Sequence, residues 1–141
     1  MFFRVILTIV AGCFLCASLS FAEPDMREGK WEITTKTDMP GMPMQMPPMT
    51  YTHCITKKDV IPQKPEKNED CKIVSSKTSG NTVSWVMQCR DKDGTTVEYS
   101  GKVTYKGDRF DGTVEMTLNQ PGEVKMKMIQ HMSGKRIGEC R

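Results

Sequence analysis

The sequence predicts an all-β domain: one antiparallel, strongly curved meander sheet or partly open β-barrel, with little helix and two disulfide bonds. Three observations support this prediction. The second half of the chain alternates apolar and polar side chains along extended runs. Turns that contain glycine separate these runs. Four cysteines follow an N-terminal export signal, and a chain of 141 residues suits a single domain of this kind.

Residues 1–22 have the pattern of a secretory signal peptide. Arg4 precedes a short apolar run, and the segment ends on small residues at Ala22. We expect cleavage after Ala22, which leaves residues 23–141 as one disulfide-stabilised β domain in the periplasm, and contact with a membrane only during export. A lipid-modified Cys13 is disfavoured, because it would leave the apolar stretch 14–21 on the mature protein.

The clearest predicted hairpin spans residues 97–118 and turns at Gly107-Asp108, a pair that suits a two-residue turn. This register sets Tyr99 opposite Met116 and collects every large apolar side chain on one face. A three-residue loop at Gln120–Gly122 would then continue the apolar face into a third strand. In that strand Met126 would oppose Met116, and Met128 would lie on the same face.

An upstream hairpin accounts for two of the cysteines. A turn at Ser79-Gly80-Asn81 sets Cys71 opposite Cys89, at a separation that a disulfide accepts. The alternative turn, Gly80-Asn81, would separate the two cysteines. Four cysteines allow three connectivities, and the hairpin favours Cys71–Cys89, which leaves Cys54–Cys140 as the second disulfide.

Two shorter strands precede these hairpins. Residues 30–37 carry Trp31, Ile33 and Thr35 on one face, and a second strand covers residues 50–55. The pattern does not determine how these strands pair with the rest of the sheet, so closure of the barrel stays open.

Residues 38–50 form a methionine- and proline-rich arm. Its four prolines remove ladder donors, so we expect a loop or an extended arm at a sheet edge. One interpretation is that the arm packs over the open sheet face, because methionine fills irregular gaps. Another is that the arm and the sheet face together bind a small apolar ligand or an envelope protein. This candidate surface comprises Met39, Met42, Met44, Met46, Met49, Tyr99, Met116, Met126 and Met128.

A third interpretation of the arm is a Cu(I) site. Met42, Met44 and Met46 alternate in sequence, so three thioethers can lie on one side, and His53 follows the arm. Thioethers are soft ligands that suit Cu(I) in an exported protein. No other metal or cofactor is expected.

The composition argues against two other classes of function. Of the 20 basic residues only Arg4 lies in the signal segment, which leaves 19 against 17 acidic residues, and the two signs are interspersed. No basic stripe for nucleic acid results. No nucleophile, zinc-protease or phosphate-loop motif occurs, so we expect no catalytic residue and no enzyme.

Several segments in combination resemble the bacterial exported family called domain of unknown function 3617. They are residues 29–37 around Trp31, the methionine arm, residues 54–57, which begin with Cys54, the hairpin residues 80–85, and the C-terminal residues 132–140. The resemblance implies an exported bacterial protein and no established activity. The long one-sided apolar face and the apolar arm near it lead us to expect a non-enzymatic binding module, with copper binding or a purely structural role in the envelope as alternatives.

Overall fold

The computed structural model describes residues 23–63 and 70–141, so the predicted signal peptide and Cys13 lie outside the described residues. The described residues form one sheet of seven antiparallel strands that does not close, and they contain no helix. This confirms the predicted fold class. The strands are β1 (Gly29–Asp38), β2 (Met49–Ile55), β3 (Asp70–Ser79), β4 (Thr82–Arg90), β5 (Thr96–Lys106), β6 (Arg109–Asn119) and β7 (Met126–Gly138).

The order of the strands in the sheet is β2-β1-β7-β6-β5-β4-β3. Strands β3 to β7 follow one another as a five-stranded meander, which confirms the predicted meander. Strand β1 lies between β2 and β7, so the first and last strands of the chain are neighbours. Strands β2 and β3 form the two edges of the sheet.

The hairpin of β5 and β6 has the predicted register. Tyr99 pairs with Met116, Tyr105 with Phe110, and the turn lies at Gly107. Gly107 has a φ of +68°, a backbone conformation that glycine adopts without strain. The alternating pattern and a two-residue turn are sufficient to determine this register.

The predicted register between β6 and β7 is wrong by two residues. Met116 pairs with Met128 rather than Met126, and Leu118 pairs with Met126. The connection is longer than a three-residue loop and spans residues 120–125, although Gly122 does have the expected positive φ of +81°. Because side chains alternate with a period of two, this shift leaves every apolar side chain on the predicted face.

The Cys71–Cys89 pairing is confirmed, but the predicted turn is wrong. Cys71 pairs with Cys89 at a Cα separation of 4.0 Å, while the turn is the two-residue Gly80-Asn81. Val74 is an extra residue in β3, a β-bulge that shifts the register by one residue. This bulge compensates for the shorter turn, so the Cys71–Cys89 pair and the Gly80-Asn81 turn occur in the same hairpin.

The first two strands occupy the predicted positions, with Trp31, Ile33 and Thr35 buried on one face of β1. The second predicted disulfide, Cys54–Cys140, is also confirmed, with a Cα separation of 5.8 Å. It ties the end of β2 to the C-terminal tail. The two disulfides therefore lie at opposite ends of the sheet.

An aromatic cluster forms the core on the concave face of the sheet. The ring centroids of Trp31, Tyr105 and Phe110 lie 5.5 to 6.0 Å apart. Trp85 lies over Gly101, where an added Cβ would overlap its ring. The side chains that fill this face are Met26, Trp31, Ile33, Ile55, Val83, Trp85, Met87, Cys89, Tyr99, Val103, Tyr105, Phe110, Val114 and Met132.

The cover segment, residues 56–63, leaves the end of β2 and lies across this core. The hydroxyl of Tyr105 donates to the carbonyl of Val60, and the hydroxyl of Tyr51 donates to the carbonyl of Pro62 at 3.2 Å. The indole of Trp85 donates to Gln63 Oε1 at 3.2 Å. These bonds place the cover segment over the middle of the concave face and satisfy polar atoms of buried aromatic side chains.

Residues 23–28 close one end of the sheet, where the turns at residues 80–81 and 107–108 lie. The amide of Gly107 donates to the carbonyl of Asp25 at 2.7 Å, and the amide of Asp25 donates to Asn81 Oδ1 at 2.9 Å. Met26 is buried beneath this contact. The arm and the turns at residues 91–95 and 120–125 lie at the opposite end, which we call the open end.

Candidate binding surface

The methionine arm occupies the connection between β1 and β2 at the open end. It starts with a tight turn, in which the amide of Met42 donates to the carbonyl of Met39 at 3.2 Å. Pro40 and Gly41 are the central residues, and Gly41 has a φ of +90°, as a type II turn requires. The prolines that follow remove backbone donors, and residues 42–48 form no strand.

The arm presents its methionines to solvent. The exposed fraction is 52% for Met42, 75% for Met44, 45% for Met46 and 69% for Met49. Only Met39 is half-buried. This placement contradicts the interpretation that the four exposed methionines pack over the sheet face.

A second group of apolar side chains lies on the concave face at the open end. Two rows of paired residues cross the strands: Tyr99, Met116 and Met128 form one row, and Val97, Leu118 and Met126 form the other. Tyr99 is buried, whereas the other five are half-buried or exposed, with Met126 at 41%. We call these six residues the apolar rim.

The arm and the apolar rim are adjacent. Asp38, the last residue of β1, pairs with Ile129 of β7. Continuing this antiparallel register by one residue places Met39 beside Met128. The base of the arm therefore lies beside the row of Tyr99, Met116 and Met128, at the same end of the sheet as the rim.

Comparison with known protein families is informative at this point. The family described as "Protein of unknown function (DUF3617)" matches residues 26–140, a range that contains all seven strands, the arm and both disulfides. The chain belongs to this family. No curated protein and no solved structure matches this DUF3617 domain. The described residues contain no helix long and apolar enough to cross a membrane.

The centre of the DUF3617 sheet is filled rather than hollow. Trp85 covers Gly101, and Phe110 covers Gly134 so closely that a Cβ at that position would overlap the ring. The cover segment lies above these rings. Among the described residues, no hydrogen bond of the cover segment reaches the apolar rim, which apart from Tyr99 is at least partly open to solvent.

His53 does not lie with the arm methionines. It pairs with Trp31 on the inner face of β2, four residues beyond Met49, which corresponds to about 13 Å along a strand. Its Nε2 atom is buried. The described residues also contain no cluster of three or more His, Cys, Asp or Glu side chains that would hold a metal. The copper hypothesis therefore depends on the three thioethers of the arm.

Two pairs of ionisable side chains lie on the outer side of the surface. At the base of the arm Asp38 lies 3.3 Å from His131, and Lys127 lies 3.0 Å from Glu115. These pairs belong to the convex face, which alternates with the concave face along each strand. On the inner side, burial raises the pKa of the Tyr51 hydroxyl, so this phenol stays neutral.

Sequence reasoning included Met116, Met126 and Met128 in the surface but omitted Val97 and Leu118. The alternating pattern was sufficient to find both, since they share the apolar face of the 97–118 hairpin. No pattern in the sequence predicted that the cover segment lies over the core. Its apolar residues are few and irregularly spaced, and only the three-dimensional structure shows that they seal the core.

Proposed function

We propose that this domain is an exported, non-enzymatic binding protein of the bacterial periplasm. In this proposal the arm and the apolar rim hold an apolar segment of an envelope protein partner. The observation that carries the proposal is the exposure of Met42, Met44, Met46 and Met49, next to a rim of further apolar side chains. Exposed apolar surface of this kind is typical of interaction sites.

A protein partner fits this surface better than an enclosed small ligand. The concave face is filled by aromatic rings and covered by residues 56–63, so the rim offers a shallow, open surface. Small ligands generally bind in clefts that enclose most of their surface. Flexible methionine side chains on an exposed arm can adapt to a larger and less regular partner.

Two observations support the proposed compartment. Residues 1–22 have the composition of a cleaved export signal, and the domain contains two disulfides, which persist in oxidising compartments. An export signal and disulfides together favour the periplasm over the cytosol.

The test of the binding function is site-specific photo-crosslinking in the bacterial periplasm. A photoreactive amino acid replaces Met49 in the arm, Met126 in the rim, or Thr113 on the convex face as a control. We expect the same partner protein to be captured from the arm and the rim and not from Thr113. Equal capture at all three positions, or none at Met49 and Met126, would contradict the proposal.

Two triple variants then distinguish the contribution of the apolar volume of the arm from that of its thioether groups. Met42→Leu, Met44→Leu and Met46→Leu together keep the apolar volume and remove the thioethers. Replacing the same three methionines with serine removes both. If the arm binds an apolar partner, the leucine variant keeps the crosslink and the serine variant loses it, while both keep the stability of the wild type because the side chains are exposed.

Cu(I) binding by the arm remains the second candidate, because three solvent-exposed thioethers alternate in an accessible segment. This candidate predicts that the leucine variant loses binding of the metal, because leucine has no thioether, whereas the apolar-partner proposal predicts that the same variant keeps its binding. Competition with a chromophoric Cu(I) chelator under reducing, anaerobic conditions would show metal transfer to the wild type and no transfer to the leucine variant. Undetectable transfer to the wild type would eliminate this candidate.

A further inference from the structure

Strand β3 is an edge strand whose side chains are exposed on both faces. It pairs with β4 on one side, and in the described part of the chain no strand lies along its other side. Nine of its ten residues are exposed, and only Cys71 is half-buried. The opposite edge differs, because β2 buries Ile55 and half-buries Tyr51 and His53.

The backbone of β3 directs hydrogen-bonding groups toward this free edge. The Cα separation of 4.0 Å between Cys71 and Cys89 identifies a pair without mutual backbone hydrogen bonds. Two residues further along, Ile73 therefore turns its amide and carbonyl away from β4. Beyond the register shift at Val74, Ser79 and Thr82 form the hydrogen-bonded pair that closes the two-residue turn. The backbone groups of successive residues alternate between the two sides of the strand, so Ser76, three residues before Ser79, also turns its amide and carbonyl away from β4.

A groove of 380 Å³ lies beside this edge, between β3 and the cover segment, and its lining is part apolar and part polar, with Lys58 and Asp59 among the polar residues. Ile73 and Met87 line one side, and Val60 and Ile61 line the other. Ile73 is 48% exposed at the mouth of the groove. The residues whose backbone faces the edge are thus the same residues whose side chains face the groove.

The outer face of β3 carries two lysines, and Asp70 at the first position of the strand is its one acidic residue. Lys72 and Lys77 are both exposed, pair with the uncharged residues Gln88 and Ser84, and take part in no ion pair with another described residue. A strand added to the edge would therefore gain from acidic side chains on its outer face. A second copy of this domain is disfavoured, because antiparallel pairing of β3 with itself brings the lysines of both copies together.

We propose that the free edge of β3 binds an extended segment of a partner protein as an eighth strand. The segment alternates apolar side chains, which enter the groove beside Ile73, with acidic side chains, which face Lys72 and Lys77. Backbone hydrogen bonds to residues such as Ile73 and Ser76 provide binding, and the alternation provides specificity. This surface is separate from the arm and the apolar rim and does not depend on the function proposed for them.

The test uses the mature domain and a fluorescein-labelled peptide of ten residues that alternates valine and glutamate. Fluorescence anisotropy measures its dissociation constant. A peptide with N-methylated amides along one edge tests the backbone contribution, and a peptide of the same composition with the glutamates grouped together tests the alternation. We expect binding of the alternating peptide, and at least a tenfold weaker affinity for both altered peptides.

Charge reversal supplies a matched pair of protein variants. Lys72→Glu with Lys77→Glu reverses both charges at the edge, whereas Lys36→Glu with Lys125→Glu makes the same change in net charge elsewhere on the surface. We expect the edge variant to bind the peptide about tenfold more weakly, because two exposed charge contacts become repulsive, and the control to bind like the wild type. The edge variant is also expected to prefer a valine–lysine peptide.

Three results would overturn the proposal. The first is no binding of the alternating peptide at millimolar concentration, and the second is equal binding of the N-methylated peptide. The third is a concentration-dependent dimer in sedimentation velocity that the edge variant alone alters, since a second copy would then occupy β3. Hydrogen exchange provides the positive signature, because peptide binding should slow exchange at Ile73 and Ser76.

Discussion

Tyr105 is the residue that most directly connects the sheet to the segment that covers it. Its ring packs edge-on against Trp31, with the centroids 6.0 Å apart, and its hydroxyl donates to the carbonyl of Val60. One side chain thus contributes to the aromatic core and satisfies a backbone acceptor of the cover segment. Loss of the hydroxyl removes the second role and leaves the first intact.

Replacement of Tyr105 with phenylalanine should lower the free energy of unfolding by about 1–2 kcal/mol, because the Val60 carbonyl loses its donor while the ring stays in place. Urea denaturation followed by far-UV circular dichroism measures this difference. An unchanged midpoint would show that the hydrogen bond contributes nothing to stability.

Tyr105 also makes the free energy of unfolding sensitive to pH in the alkaline range. Burial, and secondarily the carboxylate of Asp59, raise the pKa of Tyr105 above its ordinary value of 10.0. The folded state therefore favours the neutral phenol more than the unfolded state does. Its contribution is complete below pH 10 and is lost as the pH rises toward the folded-state pKa.

Thermal unfolding between pH 8 and pH 11 tests this dependence. The melting temperature of the wild type should fall more steeply above pH 10 than that of Tyr105→Phe, which has no phenol to ionise at this position. Parallel curves for the two proteins would refute the assignment, since the remaining tyrosines are common to both.

At the scale of elements, the β3–β4 hairpin shows how two conflicting signals are reconciled. The turn Gly80-Asn81 and the Cys71–Cys89 pair require registers that differ by one residue. The bulge at Val74 absorbs that difference. A regular hairpin would have to give up either the two-residue turn or the disulfide.

Deletion of Val74 should therefore be tolerated. Ile73 then takes the position of the deleted residue and still faces Met87, so Cys71 still faces Cys89. We expect the disulfide to form, and the free energy of unfolding to change by less than about 1 kcal/mol, because Val74 is half exposed. Peptide mapping without reduction identifies the disulfide.

Deletion of Val86 from the partner strand is the matched control. It shifts the second half of β4 by one residue, which moves Cys89 out of register with Cys71 and turns Met87 toward the other face. This variant should lose the native pairing. Equal behaviour of the two deletions would show that the bulge does not set the register.

The hairpins also show how far the sequence predicts such a fold. The β5–β6 register followed from strict alternation around a glycine turn. The β6–β7 register did not, because registers that differ by two residues place the same side chains on the same face, and only the length of the loop distinguishes them. The sequence pattern identified the methionines of the arm and of the sheet face as candidates for a surface. It could not predict that the arm is exposed, because that depends on which segment covers the core.

At the scale of the whole molecule, the two disulfides restrain very different lengths of chain. Cys54 and Cys140 are 86 residues apart, whereas Cys71 and Cys89 are 18 apart. The longer bridge also joins an edge strand to the C-terminal tail. It therefore restricts the unfolded chain more than the hairpin bridge does.

Replacing Cys54 and Cys140 with serine should lower the free energy of unfolding by about 4.5 kcal/mol, and the same change at Cys71 and Cys89 by about 3 kcal/mol, according to the chain-entropy relation. Urea denaturation of the two double variants measures the difference. A larger loss from the hairpin bridge would contradict this order.

The position of β1 between β2 and β7 has a consequence for the time course of folding. Ile33 pairs with Gly134, so β1 is synthesised roughly 100 residues, or about 5–20 s at ordinary rates of translation, before its neighbour in β7 exists. During that interval the edge of β1 that pairs with β7 in the folded domain has no partner strand. Such a strand is an aggregation hazard. In a chain that stops before Met126, no strand pairing would join the β1–β2 hairpin to the four-stranded meander of β3 to β6, because β7, the last strand to be made, lies between them.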